Sequence, residues 1–198
     1  MLSQWLTLYH SRALSPGDWR SLLSAFGSPG SVLGASASAL QARAGIDEGA
    51  ATRLLDAARP GSPVQREVDD DLEWLARAPG HHLLTLADED YPPLLKEIRP
   101  APAMLYLVGQ RDHLCSDQVA VVGSRKSSAY GREQAFELSV ALASQGITVT
   151  SGLAAGIDAC AHRGALRAQG GTVAVLGNGV DVVFPRGNRT LYEQIRER

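Results

Sequence analysis

The sequence predicts an α/β protein, a small helical module followed by a parallel sheet. Three observations carry that prediction. Before residue 79 the chain holds only short amphipathic stretches, each bounded by Gly or Pro. From residue 118 onward short apolar runs at 119–122, 147–150 and 172–176 alternate with helix-length segments at 130–145 and 157–168. Each of the three runs also opens into a loop that carries glycine. Alternation at this spacing specifies βαβαβ with right-handed crossovers.

Taken in order, Leu2, Trp5, Leu6, Leu8 and Tyr9 can share one helical face. Ser15-Pro16 has the form of an N-cap with Pro in the first turn, opening a helix through Trp19, Leu22, Leu23 and Phe26 that stops at Gly27. Helices over 36–44, 47–59 and 64–78 follow. These pieces are too short to be stable alone and must pack on one another. The glycine turns Gly27–Gly30 and Gly45–Asp47 have two readings, helix–hairpin–helix contacts to DNA backbone or plain helix punctuation. An acidic setting favours punctuation, and Asp69 to Asp71 reads as a solvated helix face. The domain boundary is expected near Pro79-Gly80, giving a helical module at 1–78 and a sheet domain at 79–198. Leu83–Leu86 and Met104–Val108 are expected as strands, with one helical turn at Leu94–Ile98 between them.

The run Val119–Val122 suits a strand buried on both faces. Behind it lies a polar loop with Gly123, Ser124, Arg125 and Lys126, and Ser128 is placed to cap the helix that holds Phe136, Leu138, Val140 and Leu142. A strand that feeds such a loop into a helix N-terminus directs free N–H groups at an anion, phosphate above all. Two more loops leave the same sheet edge, one with Ser151 and Gly152, the other with Gly177, Gly179 and Asp181. Ligands of open parallel sheets bind beyond the carboxyl ends of the strands, so the three loops are expected to wall one crevice. The expected strand order is 3-2-1, with the 119–122 strand at one side.

Other chemistry finds little support. The first loop is not GxGxxG, and GxxxxGK[ST] does not occur. Ser151, Asp158 and His162 have the residue types of a hydrolase, but Asp158 and His162, four apart on a helix, read better as a structural pair. No cofactor and no metal site is expected. Composition is that of an ordinary globular chain, 44% hydrophobic and 20% charged, with net charge −2 over 198 residues. Residues 1–115 carry 10 Lys+Arg against 14 Asp+Glu, and residues 116–198 carry 9 against 7. The second part thus permits local anion binding. Two cysteines without metal spacing and no long apolar run point to a reduced, cytoplasmic protein with no membrane partner.

Val122-Gly-Ser-Arg125 with Ser128-x-Tyr-Gly131, Ser151-Gly-Leu-Ala-x-Gly-Ile-Asp158 with Ala161-His162, and Gly171–Leu176 with Gly179-x-Asp181 and Phe184-Pro185 resemble the DNA-processing protein A (DprA/Smf) family. Tyr91-Pro92 and Leu105-x-x-x-Gly109 resemble its lead-in, and the first 78 residues its sterile-alpha-motif-like module. The resemblance implies a Rossmann-like domain that binds single-stranded DNA and loads the RecA recombinase during natural transformation, as a homodimer and without catalysis. It assigns phosphate contact to Gly123, Ser124 and Arg125, places Ser151 and Gly152 beside them, and makes Gly177, Gly179 and Asp181 a third wall; Lys126 adds a second charge to the loop but is freer to face solvent. The chain stops at Arg198, after three strands and the start of a helix at Thr190. It is therefore expected to be a truncated form holding the first half of that domain. The alternative is a nucleotide-binding enzyme of the lysine-decarboxylase-like (LOG) phosphoribohydrolase type, but its PGGxGT loop is not found here.

Overall fold

A computed structural model describes residues 1–197. In chain order the elements are α1 (Leu2–His10), α2 (Asp18–Phe26), α3 (Pro29–Leu33), α4 (Ala37–Ala44), α5 (Glu48–Ala57), α6 (Val64–Ala76), β1 (His81–Thr85), α7 (Pro93–Glu97), β2 (Met104–Val108), β3 (Gln118–Ala120), α8 (Ala129–Ser144), β4 (Thr148–Ser151), α9 (Ile157–Arg167), β5 (Thr172–Ala174) and α10 (Arg189–Arg196). Short 3-10 turns lie at Asp112–Cys115 and Arg186–Asn188. Among the described residues no helix is long and apolar enough to cross a membrane.

The chain divides into two compact units, one of residues 1–88 with 93–105, the other of residues 89–92 with 106–198. The first is a helical cluster around Leu6, Leu8, Leu22, Val32, Leu40, Leu54 and Val68. Trp5 and Trp19 stack within it, ring centroids 5.6 Å apart and planes 5° from parallel. Ser36 and Asp47 cap α4 and α5 through their side-chain oxygens, and Gly27 and Gly45 end α2 and α4.

Three expectations for this unit need correction. Ser15 does not cap α2. The Asp18 carboxylate instead accepts from the Ser15 N–H at 2.6 Å, reaching back as the acidic member of a capping box does. Gly27–Gly30 is not only a turn, because Ser28 caps a further helix with Pro29 in its first turn. Asp71 does not join Asp69 and Asp70 in solvent. It turns inward, 2.6 Å from His10 Nε2, while His10 Nδ1 lies 3.1 Å from Glu67, so these polar contacts tie α6 to α1.

In the second unit β3, β4 and β5 form a parallel sheet in that order, with Val119 opposite Val149 and Thr150 opposite Val173. This is the expected 3-2-1 arrangement, the opening βαβαβ of a Rossmann-like sheet. The fold class is therefore mixed α/β as the sequence predicts. The 119–122 segment is not buried on both faces, however. Only Val121 is buried there, and Val122 is 74% exposed. Both crossovers turn the same way, so α8 and α9 cover the face that carries Val121 and Val149. Ala120 and Val122 lie on the other face of β3, which stands at one side of the sheet among the described residues.

The α8–α9 contact is made by small residues. The buried stripe of α8 is Ala135, Ser139 and Ala143, whereas Leu138 is 52% exposed. Small residues let the two helices cross very closely. A Cβ on Gly164 would overlap the Phe136 carbonyl oxygen and lie 2.9 Å from the Ser139 Cβ. In most helix interiors Gly→Ala stabilises by up to about 1 kcal/mol. Here the sign should reverse, with Gly164→Ala costing about 1–3 kcal/mol through overpacking. Urea unfolding checks this, and unchanged or increased stability would mean that the helices separate freely.

Candidate nucleic-acid interface

The first loop, residues 123–128, is built on the capped start of α8. Ser128 Oγ accepts from the Gly131 N–H at 3.0 Å, as the sequence leads one to expect. The N–H groups just ahead of Gly131 belong to the first turn of α8 and find no carbonyl of their own helix. Within the loop, the Lys126 N–H donates to Ser124 Oγ at 3.1 Å. Arg132, one turn into α8, donates to the Ser127 carbonyl at 2.5 Å. Gly123, Ser124, Arg125 and Lys126 are all exposed.

The second loop, residues 152–156, sits against the first. Ile157 N–H donates to the Ser124 carbonyl at 3.3 Å. Gly156 has φ +85° and ψ −125°, a conformation open to glycine almost alone. A Cβ there would overlap the Ser124 carbonyl oxygen and stand 2.8 Å from that of Arg125. Asp158 closes the loop from below, its carboxylate accepting from the Ala154 N–H at 3.4 Å. Asn188 braces it from the far side, donating to the Leu153 carbonyl at 2.9 Å and to that of Ala154 at 3.3 Å. Sequence reasoning does not single out Arg132 or Asn188, and it holds Gly156 only as a motif position without a role. A glycine directly ahead of a helix, where a Ser or Asp cap would normally stand, is the readable signal for Gly156.

The expected site residues are not all brought together. Gly123 to Lys126 and Gly152 lie on the two paired loops. Ser151 is buried, and its hydroxyl donates to the Val121 carbonyl at 2.7 Å, so it ties β4 to the end of β3. Gly177 and Gly179 lie on the third loop, which leaves β5. That loop closes on itself, with Val182 N–H donating to the Gly179 carbonyl at 3.0 Å and Asn178 to the Val182 carbonyl at 2.5 Å. Tyr192 of α10 donates to the Val180 carbonyl. Strand spacing of about 4.8 Å sets the ends of β3 and β5 about 10 Å apart.

The hydrolase-like residues have structural tasks. His162 is fully buried and does not pair with Asp158 as expected. Its Nδ1 lies 2.7 Å from Thr172 Oγ1, and that hydroxyl donates to the Val149 carbonyl at 2.8 Å. The threonine proton is thus in use, so Nδ1 carries the imidazole proton and Nε2 is left buried without a partner. Burial pushes the His162 pKa down to about 4, and the nearby Asp158 carboxylate and the Ser151 backbone oppose the shift only in part. The neutral ring pins α9 to β4 and β5.

A family model described as DNA recombination-mediator protein A matches residues 82–198. The chain belongs to this family. Protein Smf of Escherichia coli is 40% identical over 134 residues, which cover 68% of this chain and 36% of that protein. The chain spans about a third of the length of the curated relatives it matches first. The X-ray structure of DNA processing protein A from Streptococcus pneumoniae superposes with a TM-score of 0.78 at 25% identity, over 98% of this chain and 64% of that one. DNA processing protein A from Helicobacter pylori, which binds single-stranded DNA, superposes with a TM-score of 0.50 at 26% identity, over 59% of this chain and 52% of that one.

The histidine gives a pH test. An unfolded imidazole takes up its proton near pH 6.5, the folded one only near pH 4. Between those values the unfolded chain holds more protons, so stability falls as the pH falls. The loss should reach about 3 kcal/mol at pH 4. Urea titrations of wild type and His162→Gln across pH 7 to 4 should show a flatter profile in the variant. Identical profiles would place the acid sensitivity elsewhere.

Proposed function

We propose that the paired first and second loops grip the phosphate backbone of single-stranded DNA. The observation that carries this reading is the exposure of Arg125 and Lys126 on a loop whose Ser124 carbonyl accepts from the Ile157 N–H, with Gly156 packed close beneath. Two cations on a pinned loop lose little freedom on binding, and the first-turn N–H groups of α8 add partial positive charge beside them. Membership of the recombination-mediator family and the fold shared with the H. pylori protein support DNA as the source of that phosphate.

Gly123, Ser124, Arg125 and Lys126 make the contact, and Gly152 lets the strand pass close to the backbone. Gly177 and Gly179 form a further wall one strand beyond. No bond is made or broken in this reading. The wider role rests on the family resemblance: a cytoplasmic homodimer that processes DNA in transformation and recombination and loads RecA on the strand it holds.

Arginine grips a phosphate through two parallel hydrogen bonds that lysine cannot reproduce. Arg125→Ala should weaken oligo-dT binding by about 1.5–3 kcal/mol, the range for hydrogen bonds to charged groups. Arg125→Lys should restore only part of it. The salt slope should fall by about 0.7, because one phosphate is no longer neutralised. Fluorescence anisotropy with labelled oligo-dT at several salt concentrations measures all three, and undiminished binding by Arg125→Ala would reduce the loop to a structural turn.

A further inference from the structure

The first loop is flanked by an aromatic ring that packing does not explain. Tyr130, the second residue of α8, is 70% exposed. Its position is two residues beyond the cap at Ser128 and five beyond Arg125. The adjacent Gly131 faces inward, toward Ser128 Oγ and the Ile157 side chain. One residue earlier on the helix turns the tyrosine about 100° away from that contact. Its neighbours one turn on, Glu133 and Gln134, are exposed as well. Among the described residues the ring joins neither core cluster of its own unit.

An aromatic face beside a cationic loop has a specific use. Proteins that hold single strands combine a positive track for the backbone with rings on which bases stack. Phosphate and base of one nucleotide are joined through a single sugar, so a ring must stand close to the phosphate grip to serve both. Tyr130 satisfies that condition through sequence distance and through the shared start of α8.

We infer that Tyr130 is a stacking platform for the nucleobase whose phosphate lies on the first loop. The inference rests on the phosphate reading above and extends it from the backbone to the bases. Stacking on a ring face accepts any base, so the contact adds affinity without demanding a sequence. It also separates single strands from duplex, whose bases are already stacked on one another.

Oligo-dT compared with an abasic oligomer of equal length tests the inference apart from the reading it rests on. Wild type should bind oligo-dT more tightly than the abasic strand. Tyr130→Ala should lower oligo-dT affinity by roughly 5- to 150-fold, the range of one stacked base, while leaving abasic affinity and the salt slope unchanged. Tyr130→Phe should behave as wild type, since it keeps the ring. Leu138→Ala removes another exposed apolar side chain from α8 and should change neither affinity. Arg125→Ala should lower both. If Tyr130→Ala lowers both affinities equally or neither, or if Leu138→Ala matches its effect, the stacking role is wrong while the Arg125 result still stands for the phosphate site. If wild type binds neither oligomer, the phosphate reading fails and the stacking role goes with it.

Discussion

The approach of the Gly156 backbone to the carbonyls of Ser124 and Arg125 is the constraint on which the site depends. It sets the height of the first loop above the sheet and turns the chain into α9 at the same point. The placement of the exposed Arg125 follows from it. Ile157 can reach the Ser124 carbonyl only because residue 156 passes beneath it, and Arg132 then steadies the loop from the other end at Ser127. Any side chain at 156 would push the two loops apart.

The same economy of side chains shapes the layer behind the site. Ala135, Ser139 and Ala143 meet Ala161, Gly164 and Ala165 where larger residues would hold the helices apart. His162 adds a polar strut from α9 to two strands and leaves one buried nitrogen without a partner. Small residues and one enclosed imidazole thus form a rigid base. The exposed cations and Tyr130 stand on that base, open to a ligand.

Much of this was legible in the sequence because local chemistry and global fold agree there. The alternation of β-branched runs with helical stretches specified the order of β3, β4 and β5, and Ser128 announced the start of α8. What failed did so for reasons of context. An apolar run carries no record of what covers each side of its strand, and among the described residues nothing covers the side of β3 that bears Val122. The small-residue stripe of α8 was not legible, because its use depends on Gly164 of the neighbouring helix facing Ser139. Asp71 read as solvated, since its partner His10 lies 61 positions away in the chain. Gly156 stood in plain view, but its importance depends on two carbonyls contributed by a different loop.

The proposed meeting place of this chain with single-stranded DNA is the pair of loops at the carboxyl edge of β3 and β4. Amide chemical-shift mapping during titration with oligo-dT measures this most directly. The largest shifts should fall on residues 123–130 and 152–156, with helices α1–α6 nearly silent. Shifts concentrated on those helices, with residues 123–130 unmoved, would contradict that placement.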